Sequence, residues 1–180
     1  EKVVTETLLS YTGDRAALMD RVWKRLERFS AAMQRALLDY IRFCSGAYQR
    51  EMLDILRDEG RDKELRLTAI RYVGRYPYGP AREPLLGLVE DGNPLRWEFA
   101  AIAASALAGY GGEAVTAALA EAMHSPNWYV RYNAAASLEA RGLAYEDLLA
   151  IAGGDRYAQE MLTYRLESRR LTAEREAVAV

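Results

Sequence analysis

Chemistry near neutral pH needs nucleophiles, bases or metal ligands, and this 180-residue chain holds one histidine, His124, and one cysteine, Cys44. A zinc or di-iron centre requires several nitrogen ligands or clustered carboxylates around one ion. His124 stands by itself beside the turn Ser125-Pro126, where a helix-terminal imidazole satisfies a carbonyl or meets solvent. Cys44 falls on the apolar stripe of its helix and reads as a small buried hydrophobe rather than a reactive thiol. Gly109, Gly111 and Gly112 lack the preceding strand and the following Lys-Ser/Thr of a phosphate-cradling loop, so they read as helix breaks. No nucleophile-base pair, metal site or cofactor is expected.

The side chains grouped in a way that could work at a surface are aromatic residues and arginines. Tyr72, Arg75, Tyr76 and Tyr78 crowd one helix end, and Trp97, Tyr110, Trp128, Tyr129 and Tyr132 recur around the turns that follow. Tyr, Trp and Arg are enriched at protein-protein hot spots because they bury a large area while losing little side-chain freedom. The predicted contact set is therefore Arg75, Tyr76, Tyr78, Arg96, Trp97, Tyr110, Trp128 and Tyr129. The expected partner is another protein or a neighbouring domain of the same chain. A competing reading makes the same rings fillers of gaps between helices, with their polar tips at the surface.

Helices must hold these residues. Almost every segment carries apolar positions at helical spacing, and none alternates β-branched residues as a strand would. Asp14 is placed to cap a helix whose inward stripe is Leu18, Val22, Leu26 and Phe29. Ser30 opens a second, with Met33, Leu37, Ile41 and Cys44 inward; Tyr48, Met52, Ile55 and Leu56 mark a third that stops at Gly60. From Asp62 the chain repeats itself. Leu65-Arg66 with Ala69, Ile70, Val73 and Gly74 is echoed by Pro94 with Ala103, Ala104, Leu107 and Gly111. The clearest copy is Pro126, Arg131, Ala134, Ala135, Leu138 and Gly142, whose Ala, Leu and Gly anchors lie 31 residues after the previous set. A period of this length marks helix pairs stacked in an array. Short connections imply antiparallel neighbours, and the alanines let backbones approach closely.

Leu65-Arg66-Leu67-Thr68-Ala69-Ile70, Pro94 with its alanines, and Val130-Arg131-Tyr132-Asn133-Ala134-Ala135 resemble the HEAT-like repeats of bacteria. The resemblance covers Asp62 to Gly154 and extends more faintly back to Ser30. It implies an all-α fold, a right-handed α-α superhelix (a HEAT/ARM-like solenoid) of about four to five antiparallel helix pairs. It also implies a non-enzymatic scaffold or adaptor for protein partners, with the second helix of each pair lining a concave face. In such families the repeat arginine pairs with an acidic residue nearby, which makes Asp91 a candidate for Arg66 or Arg131. One copy departs from the pattern: Ala100 stands where Arg131 stands 31 residues later, and the nearest arginine is Arg96. The His-Glu pairs of HEAT-repeat hydroxylases are missing. Alkylpurine DNA glycosylases with HEAT-like repeats use Trp, Tyr, Arg and a carboxylate in a groove, and a tetrapyrrole lyase-like binding protein is a third reading. The helix from Glu113 to Met123 contains no Lys or Arg, which argues against a nucleic-acid groove, and no distinctive pigment-binding residue is present.

Composition narrows the class further. With 51% apolar and 28% charged residues the chain can bury a core, and a net charge of −2 argues against a surface built to neutralise phosphates. The most apolar run, Phe99 to Tyr110, is interrupted by Ser105 and falls short of the roughly 18 residues of a membrane span. The expected organisation is N-terminal helices over 1–61 as a degenerate repeat or cap, repeats over 62–154, a capping helix over 155–170, and a tail or start of a further element over 171–180. A start at Glu1 and an end in Ala177-Val178-Ala179-Val180 read as a piece of a longer protein. The location expected is the cytoplasm, or the cytoplasmic face of a membrane if an anchor precedes Glu1.

Overall fold

The structure is a computed structural model that describes residues 2–178. Its described residues form eleven α-helices and no strand, in two compact units divided after Ala81. The first unit holds α1 (Lys2–Leu9), α2 (Arg15–Trp23), α3 (Ala31–Cys44), α4 (Gln49–Arg57) and α5 (Lys63–Arg75). The second holds α6 (Arg82–Glu90), α7 (Trp97–Ala106), α8 (Glu113–Ala122), α9 (Trp128–Ala140), α10 (Tyr145–Ala152) and α11 (Arg156–Val178).

Helix starts follow from residues that can accept a backbone N–H in the first turn. Asp14 accepts from Ala17, Ser30 from Met33, and Asp62 from Glu64 and Leu65. Asn127 accepts from Tyr129 and Val130, and Asp155 from Tyr157 and Ala158. Gly142 ends α9 with φ at +98°, a conformation that costs a side-chain-bearing residue strain, and this lets Leu143 N–H return to the Leu138 carbonyl at 3.1 Å.

In the first unit α5 packs against α3 and α4, and α1 lies on α3. Leu38, Tyr40, Ile41, Met52, Ile70, Tyr72 and Val73 are fully enclosed there. In the second, α7 packs against α6 and α9, α8 against α6 and α9, and α11 against α9 and α10. The α7–α9 contact shows why alanine recurs. Ala101, Ala103 and Ala104 face Ala134 and Ala135, all at most 3% exposed, so the backbones come close enough for side chains to reach across. Ser137 Oγ donates to the Ala104 carbonyl at 2.7 Å, and Asn133 Nδ2 to the Ala101 carbonyl at 2.9 Å.

The period is written into these cross-helix bonds. Partners are 32 and 33 residues apart in the two just named, 31 for Arg141 donating to the Tyr110 carbonyl, and 33 for Arg165 donating to the Tyr132 carbonyl. The first unit keeps the same interval where its residues no longer match the motif. Thr5 Oγ1 reaches the Ala36 carbonyl 31 residues on, Tyr76 donates to the Arg42 carbonyl 34 residues back, and Arg61 pairs with Glu27 at the same interval.

Three expectations change. The helix capped by Asp14 ends at Trp23 rather than running to Phe29: Leu26–Arg28 is a 3-10 turn, Met19 and Leu26 are buried, and Phe29 is exposed. The chain divides after Ala81 rather than after residue 61, because α5 buries one side against α3 and another against α4. The last helix continues to Val178 instead of fading at Arg170, held past its buried part by i, i+4 pairs such as Arg170–Glu174 at 2.9 Å. The remainder of the expected tail, 179–180, lies outside the described residues.

Candidate functional site

The aromatic residues of the second unit meet in one row. Trp97 opens α7, and the Asn127 cap sets Trp128 and Tyr129 in the first turn of α9. Trp97 stacks on Tyr129 with ring centres 5.4 Å apart and planes at 22°. Trp128 stacks on Tyr132 at 4.9 Å and 22°, and presents its edge to Tyr129 at 5.2 Å and to Tyr164 of α11 at 5.5 Å. Each such pair contributes about 0.5–1.5 kcal/mol beyond burial, so the five rings hold one another in place without a partner. They are still open to one: Tyr129 is 56% and Tyr164 52% exposed.

Arginines frame the row. The Arg165 guanidinium lies 4.4 Å from the centre of the Tyr132 ring, and Arg165 and Arg169 share the carboxylate of Glu139. Arg131 lies 5.6 Å over Tyr157, which is 67% exposed. Arg96 is ion-paired with Asp91 at 3.2 Å. Tyr110, expected at the surface, is 5% exposed, and Arg141 seals its turn by donating to the Tyr110 and Gly112 carbonyls. It belongs to the core.

Arg75, Tyr76 and Tyr78 lie in the first unit, apart from this row in the chain's division. Tyr76 donates to the Arg42 carbonyl at 3.0 Å and accepts from Arg75 at 3.3 Å, and its ring lies where a Cβ at Gly46 would come within 2.7 Å. The Tyr76 ring therefore serves as an anchor for the turn after α3, with Arg75 and the exposed Phe43 beside it. Tyr78 sits half-buried in the turn that closes the unit. Beneath them, burial pushes the Tyr72 hydroxyl up to about 12; it donates to the Ser45 carbonyl and accepts from the Tyr48 N–H.

The isolated titratable groups are structural. His124 places Nδ1 2.9 Å from Asp155 and Nε2 3.1 Å from the Ile151 carbonyl, tying the end of α8 to the start of α11. The imidazole beside Asp155 holds its carboxyl below the usual carboxylate range. Cys44 is a free, half-buried thiol. No group of three or more His, Cys, Asp or Glu that could hold a metal lies among the described residues, and no helix among them is long and apolar enough to cross a membrane.

The sequence-based set omitted Tyr132, Tyr157, Tyr164 and Arg165. Tyr164 follows Tyr132 by 32 residues, so continuing the repeat past residue 154 would have found it.

Comparison with protein families matches residues 50–139, half of the chain, to the family described as HEAT repeats. The chain belongs to the HEAT repeat family. No curated protein matches it. The HEAT match begins at residue 50, within α4, and so includes a helix that the motif alone left outside the legible repeats. Within it, the two HEAT-repeat arginines do one job. Arg66 Nε donates to the Leu56 carbonyl at 3.0 Å and Arg131 Nη1 to the Ser125 carbonyl at 2.6 Å, each tying the start of its helix to the chain just before it. Asp91, expected opposite one of them, is instead the partner of Arg96. In the HEAT repeat where Ala100 replaces the arginine, the turns 91–94 and 125–127 wall a cleft of about 250 Å³, with Ala100 and Val130 on its lining and Trp97 beside them.

Proposed function

We propose that this HEAT repeat chain is a non-enzymatic protein-interaction module, and that its second unit docks a partner through the row Trp97, Tyr129, Trp128, Tyr132 and Tyr164. The row itself carries the reading: rings already locked against each other lose little freedom on binding, so the area they bury goes into affinity. Repeat arrays of this family commonly serve as scaffolds for proteins, and the bacterial members are those the motifs resemble. We place its action in the cytoplasm or at the cytoplasmic face of a membrane, consistent with a single cysteine and no disulfide. Glycosylase and tetrapyrrole-binding activities are not proposed, because the open surface of the row offers neither a basic track nor a ligand for a pigment.

A photo-crosslinking phenylalanine analogue at Tyr129, compared with the same analogue at Tyr145, tests this in the cells that make the protein. A discrete adduct at Tyr129 alone, lost when Trp97→Ala removes the stacking partner, is expected. Equal adducts at both positions, or an adduct indifferent to Trp97→Ala, would count against the row as a docking site.

A further inference from the structure

The two partners of His124 are both acceptors. Its Nδ1 lies 2.9 Å from Asp155 Oδ2 and its Nε2 3.1 Å from the Ile151 carbonyl. A neutral imidazole carries one N–H and one lone pair, so only the imidazolium donates to both oxygens at once. Either neutral tautomer sets a lone pair against an oxygen. His124 is 35% and Asp155 25% exposed, partly shielded, so water replaces a lost bond incompletely.

These bonds join separate elements. Asp155 follows His124 by 31 residues, the interval of the repeat, and its other oxygen, Oδ1, accepts from the Tyr157 and Ala158 N–H groups at the start of α11. Ile151 lies in the last turn of α10. One imidazole thus holds the end of α8 to the α10–α11 junction, and α11 carries Tyr164, edge-on to Trp128.

The charges around the ring leave the histidine as the group that changes. Glu121 of α8 and Glu90 of α6 line the groove that His124 edges. Arg131 of α9 is turned to the Ser125 carbonyl and lies over Tyr157, and Arg156 of α11 pairs with Glu160. The carboxylates of α10, Glu146 and Asp147, stand in its first turn, away from Ile151. Among the described residues, Asp155 is the charged group that pairs with the ring. The hydrogen bond from His124, and then that from the Ala158 N–H, hold the Asp155 carboxyl below the usual carboxylate range. It is therefore ionised throughout about pH 5 to 8, where histidines titrate, and the guanidinium groups keep their charge there.

We infer that His124 is a pH-sensitive clip: its imidazolium locks the end of α8 to the α10–α11 junction, and loss of the proton as the pH rises releases the start of α11. Below the histidine window both bonds are made; above it one is lost. The clip stands on its own geometry, whereas control of docking through Tyr164 rests on the function proposed above.

Amide protection factors at Gly153, Asp155, Tyr157 and Ala158, measured in the whole isotope-labelled chain from about pH 5 to 8, read the clip, and the ring nitrogen shifts of His124 report its protonation in the same samples. Wild-type protection is expected to fall about three- to tenfold as the ring passes from imidazolium to imidazole, the scale of one hydrogen bond. His124→Gln, neutral throughout, should give a flat profile. Asp155→Asn is the sharper test, because its Oδ1 can keep the α11 cap while its Nδ2 donates to Nδ1 of the neutral ring, whose Nε2–H still reaches Ile151. Protection should then rise with pH. A flat wild-type profile, or the wild-type slope kept in either variant, would overturn the inference. A junction that responds to pH while the Tyr129 adduct does not keeps the clip and loses its bearing on the row; a Tyr129 adduct with a flat profile keeps the row and loses the clip.

Discussion

Tyr72 shows how one polar atom can hold a turn in a buried place. Its hydroxyl is the donor to Ser45 and the acceptor for Tyr48, so it closes the α3–α4 connection from a ring that is itself fully enclosed. Tyr72→Phe keeps the ring and strands both backbone groups, and should cost about 1–3 kcal/mol in denaturant melts. The same geometry sets an alkaline limit. With the folded hydroxyl raised to about 12 from an ordinary 10, the stability it contributes is fully present below pH 10 and is lost as the pH climbs through 12. Unfolding midpoints measured across that window should fall in the wild type and stay flatter in Tyr72→Phe. None of this was legible from the sequence, where Tyr72 was one of several tyrosines near a helix end. Spacing marks an aromatic residue but not which backbone groups a fold will bring to its hydroxyl.

At the scale of helices, the capping residues and the alanine pattern were readable because both act locally. Asp14, Ser30, Asp62, Asn127 and Asp155 each accept a first-turn N–H. Side-chain size at 101, 103, 104, 134 and 135 limits how near α7 and α9 can come. Ala104→Leu should therefore force the two helices apart, costing about 1–3 kcal/mol or more by overpacking. It should also break the Ser137 bond to the Ala104 carbonyl, which a chemical-shift change at Ser137 would report. An unchanged melting temperature for Ala104→Leu would refute the close-packing account. The end of α2 was not readable, because Leu26 and Phe29 keep a helical spacing from Val22 while the chain leaves the helix at Lys24. Which of the aromatic residues stay accessible was only partly legible for a similar reason: Trp97, Trp128 and Tyr129 lie near helix starts and stay at the surface, whereas Tyr110 at a helix end is enclosed by Arg141 from the following repeat.

For the molecule as a whole, stability in a repeat array comes from neighbouring helices, so it must fall where a helix outruns its neighbours. The buried residues of α11 stop at Arg165, and every described position from Arg169 to Arg175 is exposed. Amide exchange beyond Arg169 should accordingly be orders of magnitude faster than in α7 or α9; protection equal to that of α9 would show that something in solution covers this end. The amino-acid sequence by itself determined the helical class, the 31-residue period and the caps, since these depend on neighbours a few residues away or on identical motifs recurring. Tertiary structure alone decided which rings of α7, α9 and α11 stack into a row, that the chain divides after Ala81, and that the turns 91–94 and 125–127 wall a cleft beside Ala100. Those depend on distances between residues far apart in the chain, which spacing along a sequence does not encode.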